Sequence, residues 1–194
     1  MKYSERDPQL AAMWLPYEEG TELCLANRLE EALPLFQQAL RAGEELLGPN
    51  SRHFFPILVM LGTAYANLDR PAEALPFFLR VQAITAEQFG GKHPTHGEAQ
   101  AKTAGIYRKL GRPADALPLD EQNMAICFHT HGRSHPEFVK AIVALVDDYY
   151  DLDDQAEYLR FLDLADELIA SVPGVDDHSI RVVQWHRGQQ AERT

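Results

Sequence analysis

Histidine is the side chain whose spacing in this sequence first suggests chemistry. His129, His131 and His135 lie within seven residues, and His93 and His96 form a second group upstream. Imidazole is the commonest ligand of transition metals in proteins, so a zinc site has to be considered. No cysteine or carboxylate stands at a convincing ligand spacing in the first of these segments. We therefore predict no metal site and no cofactor.

Aspartate supplies the second candidate group. An acidic run is formed by Asp147, Asp148, Asp151, Asp153 and Asp154. The spacing of these residues lacks the alternation and the central glycine of a calcium loop. A solvated helix end is the interpretation we favour, and a docking surface for a basic segment of a partner is the alternative. The sequence also lacks a glycine-rich phosphate loop and a GxSxG motif, so we predict that the protein is not an enzyme.

Charge and composition restrict the class of partner and the location. The chain has 194 residues, with 18 Lys plus Arg against 29 Asp plus Glu, so its formal net charge is −11 at pH 7. This charge argues against nucleic acid or an anionic membrane as the partner. No apolar run reaches the roughly 18 residues of a spanning helix, and no signal peptide is recognisable. Cys24 and Cys127 suggest neither a disulfide framework nor a zinc site. We expect a cytoplasmic protein, and a homo-oligomer is not indicated.

A repeat of 42 residues organises the chain. Leucine recurs at this interval in four places, and glycine recurs in four others. Several columns that agree on one spacing indicate tandem copies of one structural unit. The columns are Leu33, Leu75, Leu117 and Leu159, and Gly48, Gly90, Gly132 and Gly174. We place the repeats at about 10–51, 52–93, 94–135 and 136–177, with a further helix at about 178–192.

Each repeat is predicted to hold two helices. In the second repeat, Leu58, Leu61 and Tyr65 follow the spacing of one helical face. The segment 69–71, Asp-Arg-Pro, is predicted to separate this helix from the next one. Proline is tolerated in the first turn of a helix, so the second helix can begin there. The second helix is predicted to end near Gly90, since glycine readily adopts the left-handed conformation of a helix cap.

Small and aromatic residues at fixed positions give the repeat a family resemblance, together with the linker G-x-x-H-P. The small residues are Gly20, Gly62, Ala104, Ala32, Ala74 and Ala116, and the aromatic ones are Tyr65, Tyr107 and Tyr149. Over residues 10–172 the chain resembles tetratricopeptide repeats of the 42-residue kinesin-light-chain type. The resemblance implies an all-α fold, a right-handed α-α superhelix (TPR-like solenoid). It would contain about four helical hairpins plus a C-terminal capping helix, in a single domain over 1–194.

The resemblance also implies a class of function. Such repeats occur mainly as scaffolds that bind proteins, and their stacking leaves a concave side. We predict an adaptor that holds a peptide or a helix of a partner protein in this groove, with basic segments of the partner attracted by the acidic chain. The alternatives are a peptide-sensing regulatory protein and, with least weight, a metal-dependent or hydrolytic enzyme. The implied groove residues are Tyr17, Thr21, Val59, Thr63, Asn67, Ala101, Gly105, Arg108, Lys109, Val143, Asp147, Tyr150 and Asp151.

The third repeat departs from the apolar pattern of its neighbours. Four of its inward positions are polar, whereas the second repeat has Leu58, Leu61, Phe78 and Val81 at the same places. A buried polar group costs about 1 to 3 kcal/mol unless it finds a partner. Either the four satisfy one another or reach water, or they form a polar pocket between repeats, or the alignment of this repeat is wrong. The four residues are Gln100, Thr103, Asp120 and Asn123.

Overall fold

Helices and short connections make up the described part of the chain, residues 8–48 and 51–193 of the computed structural model. The all-α prediction is confirmed, because no strand occurs among these residues. None of the described helices combines the length and the apolar character needed to cross a bilayer. The helices are α1 (Ala11–Leu25), α2 (Leu29–Leu47), α3 (Phe55–Asn67), α4 (Pro71–Phe89), α5 (Pro94–Lys109), α6 (Pro113–His131), α7 (Pro136–Asp151), α8 (Gln155–Ser171) and α9 (Asp177–Arg193).

Each predicted repeat contains one helix pair, joined by a tight turn of the same kind. The turn residue of each pair has a positive φ, between 57° and 67°. Aspartate and asparagine tolerate this left-handed conformation better than other residues with a Cβ, and glycine adopts it freely. The Arg70 amide then donates to the Tyr65 carbonyl at 2.9 Å, which closes the turn in the second repeat. The turn residues are Asn27, Asp69, Gly111 and Asp153.

Two of the histidines that suggested metal chemistry begin helices instead. The Nδ1 atom of His93 accepts a hydrogen bond from the Thr95 amide at 3.2 Å, at the start of α5. The Nδ1 atom of His135 does the same for the Glu137 amide at the start of α7. A side-chain acceptor at this place satisfies an amide that has no partner within the helix. In the described residues, no group of three or more His, Cys, Asp or Glu side chains is arranged to hold a metal ion.

The structure divides into two compact units, residues 1–90 and 91–194. That the chain forms a single domain stays a prediction. In the first unit, aromatic rings fill the space that glycine leaves where paired helices cross. A Cβ atom on Gly62 would lie 2.8 Å from the ring of Phe78, and one on Gly20 would lie 2.8 Å from the ring of Phe36. Both rings are buried, so this close approach is part of the core.

The core of the second unit is largest where α7, α8 and α9 pack together. Ile142 and Leu145 of α7, Leu162 and Leu168 of α8 and Val183 of α9 are all buried there. The predicted capping helix is therefore a packed element, α9, which contacts both α7 and α8. Its packing places the side chains of α9 against a part of α7 that carries several predicted groove residues.

Candidate partner-binding surface

The first unit carries five of the predicted groove residues, on α1 and α3. Tyr17 is half-buried, and its ring centroid lies 5.5 Å from that of Trp14 and 6.0 Å from that of Phe36. Thr21 donates to the Tyr17 carbonyl at 2.8 Å, and Asn67 is exposed at the end of α3. Val59 and Thr63 are half-buried. These side chains form a mixed apolar and polar surface with no buried charge.

Arg108 of α5 has a different position from the one predicted. The family resemblance implies that Arg108 lines the groove, but its guanidinium bonds to two buried carboxylates. It donates to Asp120 of α6 and, at 2.9 Å, to Asp148 of α7. The Arg108 side chain is 20% exposed, and both aspartates are fully buried. Arg108 therefore ties three helices together, while Lys109 lies exposed beside it.

Burial dominates the electrostatics of this cluster, which we call the Arg108 cluster (Arg108, Asp120 and Asp148). Loss of hydration and the neighbouring Asp120 together raise the pKa of Asp148 to about 7, against the opposing effect of Arg108. Burial likewise raises the pKa of Asp120. The pKa of Arg108 is raised overall, because the two carboxylates outweigh the effect of its own burial. One guanidinium thus does not fully compensate two buried carboxyl groups.

The four unexpected polar residues of the third repeat are all buried, and each finds a separate partner. Their hydrogen bonds go to residues outside the set, so the hypothesis that the four satisfy one another is wrong. The bonds are Gln100 to Gln122 at 2.6 Å, Thr103 to the Ala99 carbonyl at 2.8 Å, Cys127 to Asn123 at 3.6 Å, and Arg108 to Asp120. Asp120 and Asn123 also line a cavity of about 160 Å³ between α5, α6 and α7.

A second cluster lies where α9 meets α7. Nε2 of His186, which is 1% exposed, lies 2.8 Å from Oδ1 of Asp147. The ring of Tyr150 packs edge-on against His186, at 5.1 Å, and against Trp185, at 5.5 Å. Trp185 itself is 52% exposed. We call the surface formed by Asp147, Tyr150, Asp151 and Trp185 the α7–α9 patch.

The acidic run is in part the solvated helix end favoured from the sequence, because Asp151, Asp153 and Asp154 are exposed, but two of its members have other roles. Asp148 is buried on Arg108, and Asp147 contacts His186. Asp154 caps α8 by accepting from the Glu157 amide at 3.2 Å. A signal for Asp148 was present in the sequence: the equivalent residue of the preceding repeat, 42 positions earlier, is the apolar Ile106. A charge in an inward column, together with Asp120 in another, predicts a compensating cation.

Comparison with known proteins agrees with this architecture. Two tetratricopeptide-repeat profiles match residues 20–53 and 55–127, together more than half of the chain. A protein from Podosopora anserina, described as a kinesin light chain with nearly identical TPR-like repeats, superposes with a TM-score of 0.70. It is 22% identical, and the match covers 80% of this chain and 74% of that one. BtubC (BKLC) from P. vanneervenii gives a TM-score of 0.72 at 16% identity, over 80% and 62% of the two chains.

These likenesses to solved structures show the fold, and no curated protein matches the chain significantly. The family profiles overlap the first three repeats predicted from the 42-residue spacing. The helix pairs of the structure fill those units in order. The chain belongs to the tetratricopeptide-repeat proteins.

Proposed function

We propose that this protein is an adaptor whose α7–α9 patch holds a basic peptide segment of a partner protein. Tetratricopeptide repeats indicate a protein–protein interaction scaffold, and this coarse function applies to the chain as a whole. The finer proposal concerns the surface used and the chemistry of the segment bound. It rests on one observation above all, which is the exposure of Trp185 beside acidic groups.

Trp185 has the features of a binding anchor. Half of its side chain is exposed, although it belongs to a helix that packs on α7 and α8. Its ring is held in place by edge contacts to Tyr150, at 5.5 Å, and to His186, at 4.8 Å. A large aromatic side chain that is fixed in position and open to solvent loses little entropy when a partner covers it.

The charge around Trp185 favours a basic partner segment. Asp147 and Asp151 lie one turn apart on α7, on either side of Tyr150 in sequence, and Asp151 is exposed. Burial and the charge of Asp147 raise the pKa of Asp151, as expected where negative charge accumulates. A lysine or arginine side chain can contact an aromatic face and a carboxylate at once, and an acidic chain attracts such segments from a distance.

The other predicted groove residues extend this proposal without carrying it. On α5, Ala101 and Gly105 are half-buried and Lys109 is exposed, whereas Val143 of α7 is buried. An extended or helical segment is the kind of ligand that such a series of helix faces accommodates.

A random peptide display library provides a direct test, with the full chain as bait. We expect the selected peptides to be rich in lysine and arginine. Fluorescence anisotropy should show that Trp185→Ala weakens their binding at least about tenfold, since aromatic anchors dominate such interfaces. Asp151→Asn should weaken binding less, and more strongly at low salt than at high salt.

Phe128→Ala is the matched control, because Phe128 is 49% exposed and lies on α6, away from the α7–α9 patch. Its peptide affinity should equal that of the wild type. The proposal is contradicted if the library yields no specific peptide, if the selected peptides lack basic residues, or if Trp185→Ala and Phe128→Ala bind equally well.

A further inference from the structure

Two aromatic rings of the α7–α9 patch meet at nearly a right angle. The ring centroids of Tyr150 and Trp185 are 5.5 Å apart, and the ring planes are inclined by 75°. Two planes in this arrangement form a corner, with one ring face on each side of it. Trp185 is 52% exposed and Tyr150 is half-buried, so the corner borders solvent. We call Tyr150 and Trp185 the aromatic corner.

Buried rings support the aromatic corner from behind. His186 is 1% exposed and contacts both rings, with centroids 5.1 Å from Tyr150 and 4.8 Å from Trp185. Tyr158, also buried, lies 5.4 Å from Tyr150, and its hydroxyl donates to the His186 carbonyl at 3.2 Å. Both walls of the corner are therefore fixed before a ligand arrives, which reduces the entropy lost on binding.

Two carboxyl groups lie beside the aromatic corner. Asp147 and Asp151 are one turn apart on α7, next to Tyr150. Oδ1 of Asp147 lies 2.8 Å from Nε2 of His186, and the Asp147 side chain is still 37% exposed. Burial and the charge of Asp147 raise the pKa of Asp151, whereas Arg108 and His186 oppose this effect. Because His186 contacts both rings, Asp151 lies within electrostatic reach of the corner.

Two arginines near the patch are already paired with other carboxylates. Arg108 is bonded to Asp120 and Asp148. Arg187 of α9 donates to two aspartates of α8, Asp163 and Asp166. The carboxyl groups of Asp147 and Asp151 therefore keep a negative potential beside the exposed rings, which favours a cationic ligand there.

A methylated ammonium matches these groups better than an unmodified one. A ring face attracts a cation but does not replace the hydrogen bonds that an ammonium makes with water. Methyl groups keep the charge and cover it with apolar surface that can contact a ring face directly. Two ring faces can contact two methyl groups, and a carboxylate can accept from the one N–H that a dimethylammonium retains.

We propose that the aromatic corner binds a dimethyl-lysine side chain of the partner protein. Its two methyl groups contact the faces of Tyr150 and Trp185, and its N–H donates to the Asp151 carboxylate. This inference rests on the proposed function for the protein that carries the side chain, and it names the residue that the patch recognises. The corner itself can be tested without a partner.

Nα-Acetyl-lysine amide serves as the probe, in its unmodified, dimethylated and trimethylated forms. A neutral analogue of the dimethylated form, with CH in place of the charged N–H group, separates charge from shape. Amide chemical shifts of the full chain measure the affinities, and the indole signal of Trp185 locates the site. We expect the dimethylated probe to bind at least about threefold more tightly than the unmodified one and than the neutral analogue. Equal binding of the dimethylated probe and either of these two, or no saturable binding of the dimethylated probe, would overturn the proposal.

Three variants assign the roles of the side chains. Trp185→Leu and Tyr150→Leu each replace one ring face by an aliphatic group, so each should abolish the preference for the dimethylated probe. Asp151→Ala removes the acceptor, so the dimethylated probe should lose its advantage over the trimethylated one. Phe128→Ala removes an exposed ring of α6 and should bind every probe as the wild type does.

The variants also give the results that would contradict the assignment. If Tyr150→Leu fails to fold, Trp185→Leu decides the matter, because half of the Trp185 side chain is exposed. A preference for the dimethylated probe that survives in Trp185→Leu would exclude the aromatic corner. A trimethylated probe that binds the wild type most tightly would exclude the hydrogen bond to Asp151.

The peptides selected for the proposed function connect the corner to a partner. Replacing one lysine at a time by dimethyl-lysine should identify a position at which methylation raises the affinity at least about threefold for the wild type and not for Trp185→Leu. Selective binding of the dimethylated probe without any selected peptide would contradict the proposed function and leave the corner assignment standing. Selected peptides that gain no affinity from methylation at any lysine would contradict dimethyl-lysine as the ligand and leave the proposed function standing.

Discussion

The second and third repeats solve the same packing problem in two different ways. In the second repeat, the ring of Phe78 lies against Gly62, and the crossing of α3 and α4 is apolar. In the third repeat, Asp120 occupies the position of Phe78, 42 residues later, and is bonded to Arg108. Both side chains are buried where the two helices of a pair meet.

The difference shows what the repeat requires and what it leaves open. The period, the left-handed turn and the 19-residue length of the second helix are the same in both repeats, so this backbone arrangement does not depend on an aromatic ring at this position. The apolar crossing gains free energy from burial alone. The charged crossing gains less, since the desolvation of Arg108, Asp120 and Asp148 opposes their attraction. It instead links α5 and α6 to α7 through one specific set of bonds.

The largest effect is expected at the apolar crossing. Phe78→Ala removes a buried ring and leaves a cavity against Gly62, so the free energy of unfolding should fall by about 3 to 5 kcal/mol. Urea denaturation followed by circular dichroism measures this change. Phe77→Ala is the control, because the neighbouring Phe77 is half-buried and stacks on Tyr65 at the edge of the core. Equal losses in the two variants would show that Phe78 has no special role in the crossing.

A smaller effect is expected at the charged crossing. Arg108→Met leaves two buried carboxyl groups without their cation, which should cost roughly 3 kcal/mol at pH 8 and less at pH 5, where they can take up protons. The same denaturation experiment at the two pH values tests this. Arg112→Met, four residues away, breaks an exposed pair with Asp115 and a contact with the ring of Tyr107, and should change stability much less. A loss for Arg108→Met that is independent of pH would contradict the role assigned to the carboxylates.

The smallest effect concerns the pH dependence of the wild type. Folding raises the pKa of Asp148 from its ordinary value of about 4 to about 7, so the folded chain keeps a proton that the unfolded chain has released between these pH values. Stability should therefore fall as the pH rises through this window, by at most about 1.4 kcal/mol per pH unit. Asp148→Asn should flatten the dependence between pH 5 and pH 8, whereas Asp153→Asn should leave it unchanged. Parallel curves for Asp148→Asn and the wild type would contradict the assignment.

Much of the local structure followed from the sequence because it depends on short-range interactions. The turns after α1, α3 and α7 place Asn27, Asp69 and Asp153 where a left-handed residue is needed, and Gly90 ends α4 as predicted. The polar set of the third repeat was also recognised as unusual. The hydrogen bonds of this set were not predicted, since the partners of Gln100 and Asp120 lie 22 and 12 residues away on another helix.

The sequence by itself determined the period, the helix pairs and the family, because a 42-residue recurrence of small, aromatic and turn residues specifies each hairpin locally. Tertiary structure decided how the charged residues are used. Arg108 and Asp148 are 40 residues apart, and only the packing of α5 against α6 and α7 makes them a buried pair. The same holds for Trp185, whose exposure depends on how α9 lies on α7 and α8. The surroundings of these side chains depend on residues that are distant in sequence. The 42-residue period does not determine which of those residues come into contact.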